Sequence, residues 1–229
     1  MVPQKSHFIQ DYKCIHADTT RTVTNFAPTM DFRWKKSQTG QLRFTYRANT
    51  SQPSMSDLLD IVDNSDPLNI TRGNPGLKPS FRQNFQLFYN DYFQKHQRAV
   101  MTFVNFSTTA NSIANKVTLL DGGARMTRPE NINGNWNANV GFMFNTAIDS
   151  AGYFNVNTFT NFGYNHNVGF VNDGVSDAKA VPKSQTIMER LAFSYRNDWL
   201  EIELNGSLNY NRNRSELQTS NNLDTWQFT

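Results

Sequence analysis

Five oxygen-bearing side chains crowd one short stretch: Asp57, Asp60, Asp63, Asn64 and Asp66. Closely spaced oxygens are what a calcium ion takes as ligands, but this spacing departs from the Asp-x-Asp-x-Asp-Gly loop, so solvated acids and caps are the expected roles. The four histidines, His7, His16, His96 and His166, stand apart from one another and from the single cysteine, Cys14. None has two-histidine metal spacing. One cysteine excludes an internal disulfide framework and a multi-cysteine zinc site, and is expected to be an incidental loop thiol. No Ser-His-Asp arrangement, nucleophile elbow or phosphate loop is legible, so no enzymatic activity, cofactor or metal is expected.

The chemistry that remains is binding. Arg43 and Arg47 alternate with apolar residues, Asn137, Asn139 and Asn157 lie in asparagine-rich stretches, and Arg72 falls in a loop. Guanidinium groups suit anionic ligands, and amides suit a sugar or peptide. These six are the candidate ligand-binding residues. Arg82, Arg190, Arg196, Glu201 and Glu203 share the same kind of position, where pairing with one another or with another protein surface is the expected role. The net charge is +3 without a basic helix or clustered patch, so nucleic acid is not an expected partner.

The elements that carry these residues read as strands. In residues 41–50, Leu42, Phe44, Tyr46 and Ala48 alternate with Arg43, Thr45, Arg47 and Asn49. Side chains alternate across a strand, so this segment has one apolar and one charged face. The first strand is predicted near 25–35, with an irregularity at Pro28. Others are predicted at 81–92, 99–117, 135–145 and 154–165, after the connection that ends at 184 (with 190–196 showing its two faces) and at 200–210, and the last four residues read as the start of a ninth. The outward face of 99–117 is ambiguous. Turns near Gln38, Gln97, Ser150 and Asn197 are short, whereas 51–80, 119–130 and 172–184 are long connections, with a short helix predicted within 54–62. The predicted strands are longer than the ~5–6 residues usual in soluble sheets. Trp34, Tyr92, Phe93, Tyr153 and Trp199 flank the short turns, placing interfacial aromatics at one end only.

Composition agrees with this pattern. Of 229 residues, 38% are hydrophobic and 13% aromatic, with 18 Phe. A mean hydropathy of -0.62 and the lack of a run of about twenty apolar residues exclude membrane helices. They leave room for a membrane sheet that needs only one apolar side per strand. The opening seven residues lack an apolar signal core, so the chain is expected to be an internal portion of a longer exported protein.

Residues 46–58, then Val62-Asp63-Asn64-Ser65-Asp66-Pro67-Leu68-Asn69-Ile70, then Gly73-Asn74-Pro75-Gly76-Leu77-Lys78-Pro79 carry a resemblance. In these segments, and in Asp121-Gly122-Gly123 and Asn131-Ile132-Asn133-Gly134-Asn135, the chain resembles the outer-membrane β-barrels of TonB-dependent receptors, in the form abundant in Bacteroidetes. Pro53, Asn64, Pro67, Gly73, Asn74, Pro75, Lys78 and Pro79 belong to that loop motif. Its Pro and Gly residues are expected to act structurally, since Pro fixes φ and Gly permits positive φ.

The resemblance implies an all-β fold, an antiparallel transmembrane β-barrel wall of about eight to nine meandering strands from a larger barrel. Residues 1–229 would be a portion of one outer-membrane barrel domain, without plug or signal peptide. Whole receptors of this type are barrels of about twenty-two strands with an internal plug. The implied function is binding and import of a nutrient at the cell outer membrane. The implied partners are outer-membrane lipid, a plug domain, a TonB-type energy coupler and an unidentified nutrient. Two other readings stay open: a soluble or surface β-sandwich that binds carbohydrate or protein, and a small closed eight-stranded barrel. The sandwich requires the apolar faces to pack on each other, and the small barrel requires its first and last strands to pair.

Overall fold

The computed structural model describes the backbone of residues 2–12, 15–25, 27–171, 179–215 and 222–229, with side-chain detail from residue 27 onward except at 96 and 121. Strands β1 (Val2–Tyr12) and β2 (Ile15–Asn25) form a separate antiparallel hairpin. No strand was predicted before residue 25. The β-branched run from Thr19 to Thr24 carried a strand signal. Cys14 lies outside the described residues.

The predicted irregularity at Pro28 falls before a strand, because β3 (Thr29–Lys35) begins just after it. The Pro28 carbonyl accepts a hydrogen bond from the Ala48 amide at 3.0 Å. A tight turn, closed by Lys36 N–H to Gly40 O at 2.9 Å, leads into β4 (Gln41–Ser51). The long connection that follows holds α1 (Met55–Leu58), β5 (Val62–Asp63) and β6 (Asn69–Arg72). Strands β7 (Ser80–Phe93) and β8 (Arg98–Ala110) form the next hairpin.

The strand predicted at 99–117 is broken. Asn111 adopts φ 52°, a left-handed conformation asparagine tolerates better than most residues. Beyond it, β9 (Ser112–Leu119) pairs with β10 (Arg125–Ile132). The predicted loop at 119–130 is therefore largely strand. β10 contains Pro129 and pairs outside the main sheet, so the local pattern hid it.

The chain continues through β11 (Asn135–Ala147), β12 (Phe154–His166), the short pair β13 (Gly169–Phe170) and β14 (Lys179–Ala180), then β15 (Lys183–Arg196), β16 (Glu201–Arg214) and β17 (Leu223–Phe228). β15 thus begins at Lys183, where the predicted 172–184 connection ends.

Nine of these strands make one antiparallel sheet in the order β17-β16-β15-β12-β11-β8-β7-β4-β3. The order is a meander in which the long connections leave at one end and the short turns lie at the other. Near the short-turn end Asp91, only 5% exposed, accepts from Lys36 Nζ at 3.1 Å and from the Tyr89 hydroxyl at 3.1 Å. That contact ties the first turn to β7. Strands β3 and β17 are the two edges, so the sheet is open and the eight-stranded closed barrel does not hold.

Register resolves the ambiguous strand. Leu87 lies opposite Val104, and Val104 opposite Val140, so Val100, Thr102, Val104 and Phe106 belong to the apolar face. Met101, Phe103, Asn105 and Ser107 share the polar face with Arg43, Asn137 and Asn157. On that face the Phe103 ring lies over Gly141, where an added Cβ would fall 2.2 Å from the ring.

The apolar face is open. Phe193 is 48% exposed, Leu204 69% and Trp199 81%. No second sheet covers this face among the described residues, so the β-sandwich reading fails. The best-buried apolar side chains instead lie at the long-connection end, where Leu77 is 0% and Ile132 2% exposed.

Candidate functional site

Those two side chains belong to a platform that continues the β8–β11 hairpin beyond the main sheet. β5, β6, β10 and β9 form a four-stranded sheet in that order. Its one parallel pair joins β6 to β10, with Asn69 opposite Arg125 and Thr71 opposite Thr127. The 52–79 connection is therefore folded against the next hairpin.

Local chemistry explains the fold of this segment. Ser54 caps α1 by accepting the Asp57 amide at 3.1 Å, a standard use of serine at a helix start. Asp60 takes the Arg72 guanidinium in a two-pronged contact of 2.6 and 3.0 Å. That guanidinium holds the Asp60 carboxyl below its ordinary range. Asp63 accepts the Ser65 amide at 3.0 Å. Asp66 accepts Asn69 Nδ2 at 2.8 Å and the Leu68 amide at 3.0 Å, and these bonds, the Asn69 side chain first, lower its pKa. Asp60, Asp63 and Asp66 are thus occupied in an ion pair and turns.

The 73–79 motif is a latch. At Gly73 an added Cβ would fall 1.8 Å from the Leu59 carbonyl oxygen, so glycine alone lets the two segments close. The Asn74 amide donates to Asp57 O at 2.5 Å. Asn74 Nδ2 donates to Pro129 O at 2.9 Å, while its Oδ1 accepts from Gly76 N–H at 3.0 Å and Arg128 Nη2 at 3.2 Å. The Lys78 amide donates to Asn131 Oδ1 at 2.7 Å, and Asn131 Nδ2 returns to Lys78 O and Asn111 O, both at 3.0 Å. Pro53, Gly73, Leu77 and Pro129 are buried beneath these bonds, whereas Asn64, Pro67, Pro75 and Lys78 are exposed and Pro79 is half-buried.

A recess of about 360 Å³ opens in this platform, lined among others by Ser56, Asp57, Leu59, Arg72, Asn115 and Thr127. It offers carboxylate, guanidinium, hydroxyl and amide groups around an apolar floor. Arg72 is the one predicted binding residue there. Thr127 was missed because it lies in a strand that the sequence presents as loop, and Asn115 because its predicted strand leaves the main sheet at Asn111.

The other predicted binding residues lie on the polar face, well separated. Arg43 Nη2 reaches Asp31 Oδ2 at 2.6 Å. The Arg47 side chain is exposed, with no hydrogen-bond partner among the described residues. Asn139 and Asn161 exchange amide bonds of 3.0 and 3.3 Å, and Asn137 is exposed nearby. Asn157 lines a broad basin of about 980 Å³ with Asn145, Arg190, Glu201, Glu203 and Asn205. Of the other arginines, Arg82 Nε donates to Ser107 Oγ at 3.1 Å and Arg196 pairs with Glu201 at 3.1 Å.

A meandering sheet with an open apolar face, a polar opposite face and long connections at one end is the wall of a membrane barrel. The model of the outer membrane protein beta-barrel family matches residues 10–229. The chain belongs to that family. No curated protein matches it.

In this outer-membrane barrel protein the apolar face meets lipid and the polar face lines the lumen. The short turns are periplasmic and the platform stands outside the cell, as in other barrels of this architecture. Aromatic residues mark both boundaries, and the expected restriction to the short-turn end is corrected. At the outer end Tyr46, Phe85, Phe106, Trp136 and Tyr164 follow one another across five strands, with ring centroids 4.8, 6.0, 5.9 and 4.9 Å apart. Local sequence missed this second belt because its members align only through strand register.

Proposed function

We propose that this chain supplies part of the wall, lumen lining and outer loops of a TonB-dependent-receptor-like barrel that captures a nutrient outside the cell and imports it. The observation that carries this reading is the ordered platform. An outer loop held by its own buried core and a hydrogen-bonded latch, with a recess of about 360 Å³, is built to present groups rather than to link strands. The polar lumen face and its basin suit a second role, contact with a plug domain that closes the pore in the complete receptor. An energy coupler from the inner membrane and a nutrient ligand are the partners of this reading, which assigns the chain to transport and not to catalysis.

The test is uptake by the complete parent protein in an outer-membrane host. Labelled oligosaccharides and peptides are offered with and without an ionophore that collapses the inner-membrane proton gradient. Uptake that disappears with the gradient supports the proposal. Uptake of the same solutes that continues without the gradient identifies a passive pore and refutes it.

A further inference from the structure

The polar face of the wall carries an apolar shelf that strand register assembles from β7, β8, β11 and β12. Phe88 lies opposite Phe103, and the Phe103 ring rests over Gly141. One step toward the periplasm, Met101 lies opposite Met143, Met143 opposite Phe159, and Phe159 opposite Arg190. The five apolar side chains are half-buried, so each keeps surface toward the lumen.

Arg190 closes one end of this shelf. Its neighbours on the polar face are Phe159 and Ser207 across, Met188 and Ala192 along β15, and asparagines on the diagonals. The Arg190 guanidinium is exposed and has no hydrogen-bond or ion-pair partner among the described residues. Glu201 pairs with Arg196. Glu203 stands opposite Ser194, about 13 Å farther along the sheet at about 3.3 Å per residue. Shelf and guanidinium open together into the basin of about 980 Å³, where Met143, Phe159 and Arg190 meet Asn145 and Asn157. That volume lies within the range of small-molecule sites. Asn145 and Asn157 face each other one step below the shelf and offer amide donors and acceptors beside it.

We propose that this basin binds the carboxyl-terminal residue of a short peptide, with its carboxylate on Arg190, its bulky apolar side chain on Phe159 and Met143, and its preceding amides along Asn157 and Asn145. The occupant follows from spacing. Residues directly opposite in a sheet have Cβ atoms about 5 Å apart, so the ligand must carry an anion and an apolar group about one residue's width apart. A peptide carboxyl terminus with an apolar last side chain has that spacing, and the arginine fork matches a carboxylate. Methionine adapts to apolar groups of different shape, so leucine, methionine and phenylalanine endings all fit. With transport as the function, on which this assignment rests, such peptides are the solute, and plug and solute would occupy the basin in turn.

The test uses the complete parent protein in bilayer discs. Affinities are measured by calorimetry for Ala-Ala-Phe, its carboxyl-terminal amide and Ala-Ala-Ser. Loss of a charge-assisted contact predicts that Arg190→Gln binds Ala-Ala-Phe about ten- to a hundredfold more weakly, and that amidation weakens wild-type binding by the same factor. Amidation should then change the variant's affinity by less than about twofold, since both changes remove one contact. Phe159→Ala should weaken Ala-Ala-Phe about tenfold and Ala-Ala-Ser by less than about twofold. Arg82→Gln, a lumen-facing change far from the basin, should bind as wild type. Equal binding of acid and amide, an unchanged Arg190→Gln or an equal loss in Arg82→Gln would each overturn the proposal. The unaltered protein provides a second measurement. A peptide ending in benzoylphenylalanine should photo-cross-link to Met143 or Met101, with Ala-Ala-Phe competing and its amide not. Cross-links confined to the platform or the plug would refute the site. Uptake is followed separately: uptake that persists without the proton gradient removes the transport reading alone, whereas gradient-driven uptake without a carboxylate preference in binding removes this site alone.

Discussion

Replacing Asn74 by alanine should release the outer platform and leave the barrel wall intact. The side chain makes three bonds, to Pro129 O, from Gly76 N–H and from Arg128 Nη2, at 2.9, 3.0 and 3.2 Å. The Gly76 amide is exposed and water replaces its bond. The other two are partly buried, and a buried group left without a partner costs about 1–3 kcal/mol. Arg128 is the more sensitive of them, since its buried Nε has no hydrogen-bond partner among the described residues. The sum is about 3 kcal/mol, a rise of roughly a hundredfold in platform opening.

Trypsin reads that opening, because cleavage between Arg72 and Gly73 requires the latch to lift, and its rate follows the open population when closing is fast. Asn74→Asp keeps the acceptor for Arg128 and Gly76 and loses only the donor to Pro129. Its cleavage should accelerate about tenfold at most. The predicted order of protection is therefore Asn74, then Asp, then Ala. Equal cleavage of the two variants, or alanine within twofold of wild type, would refute the latch. So would a parallel fall in the unfolding temperature of the wall, since the argument treats platform and wall as separate units.

Acid should loosen the platform through Asp60. Its folded pKa is depressed by Arg72, so the ion pair contributes fully above the ordinary aspartate value of about 4 and is lost as pH falls through the lower folded value. Hydrogen exchange of residues 55–75 should rise below that pH, and Asp60→Asn should remove this part of the pH dependence; an unchanged profile in the variant denies Asp60 the role. Glu189 lies on the lipid-facing side, held by Thr158 and Thr160 hydroxyls at 2.9 and 2.5 Å. Glu189→Leu should raise wall stability in bilayers by on the order of 1 kcal/mol in a urea titration, whereas a loss would mean that protein covers this carboxylate. Spin labels at positions 136, 138, 140 and 142 should be quenched by lipid-soluble oxygen, and labels at 135, 137, 139 and 141 by an aqueous reagent. Shielding of the first set from both reagents would contradict a membrane wall.

The sequence by itself determined the wall. Alternation at 41–50, 135–145 and 154–165 needs only the two-residue period of a strand, and the short turns announce themselves in local turn chemistry. Those signals were enough for the nine strands of the main sheet and for face polarity everywhere but 99–117. They failed at Asn111, where one residue in a left-handed conformation ends a strand that hydrophobicity alone would continue. They failed again at β10, which pairs on one side with β9 and on the other with β6, in a loop more than fifty residues earlier. The candidate site shared that failure: Arg72 was readable, but Asn115 and Thr127 reach the recess only because β10 pairs with both β9 and β6. The loop motif was legible as a pattern, and the depth of Leu77 and the bonds of Asn74 were not. Tertiary structure also decided the outer aromatic belt. Its members are distant along the chain and adjacent across strands. Side-chain alternation is a local property that a sequence displays directly, whereas register between strands exists only once the backbone hydrogen bonds have formed.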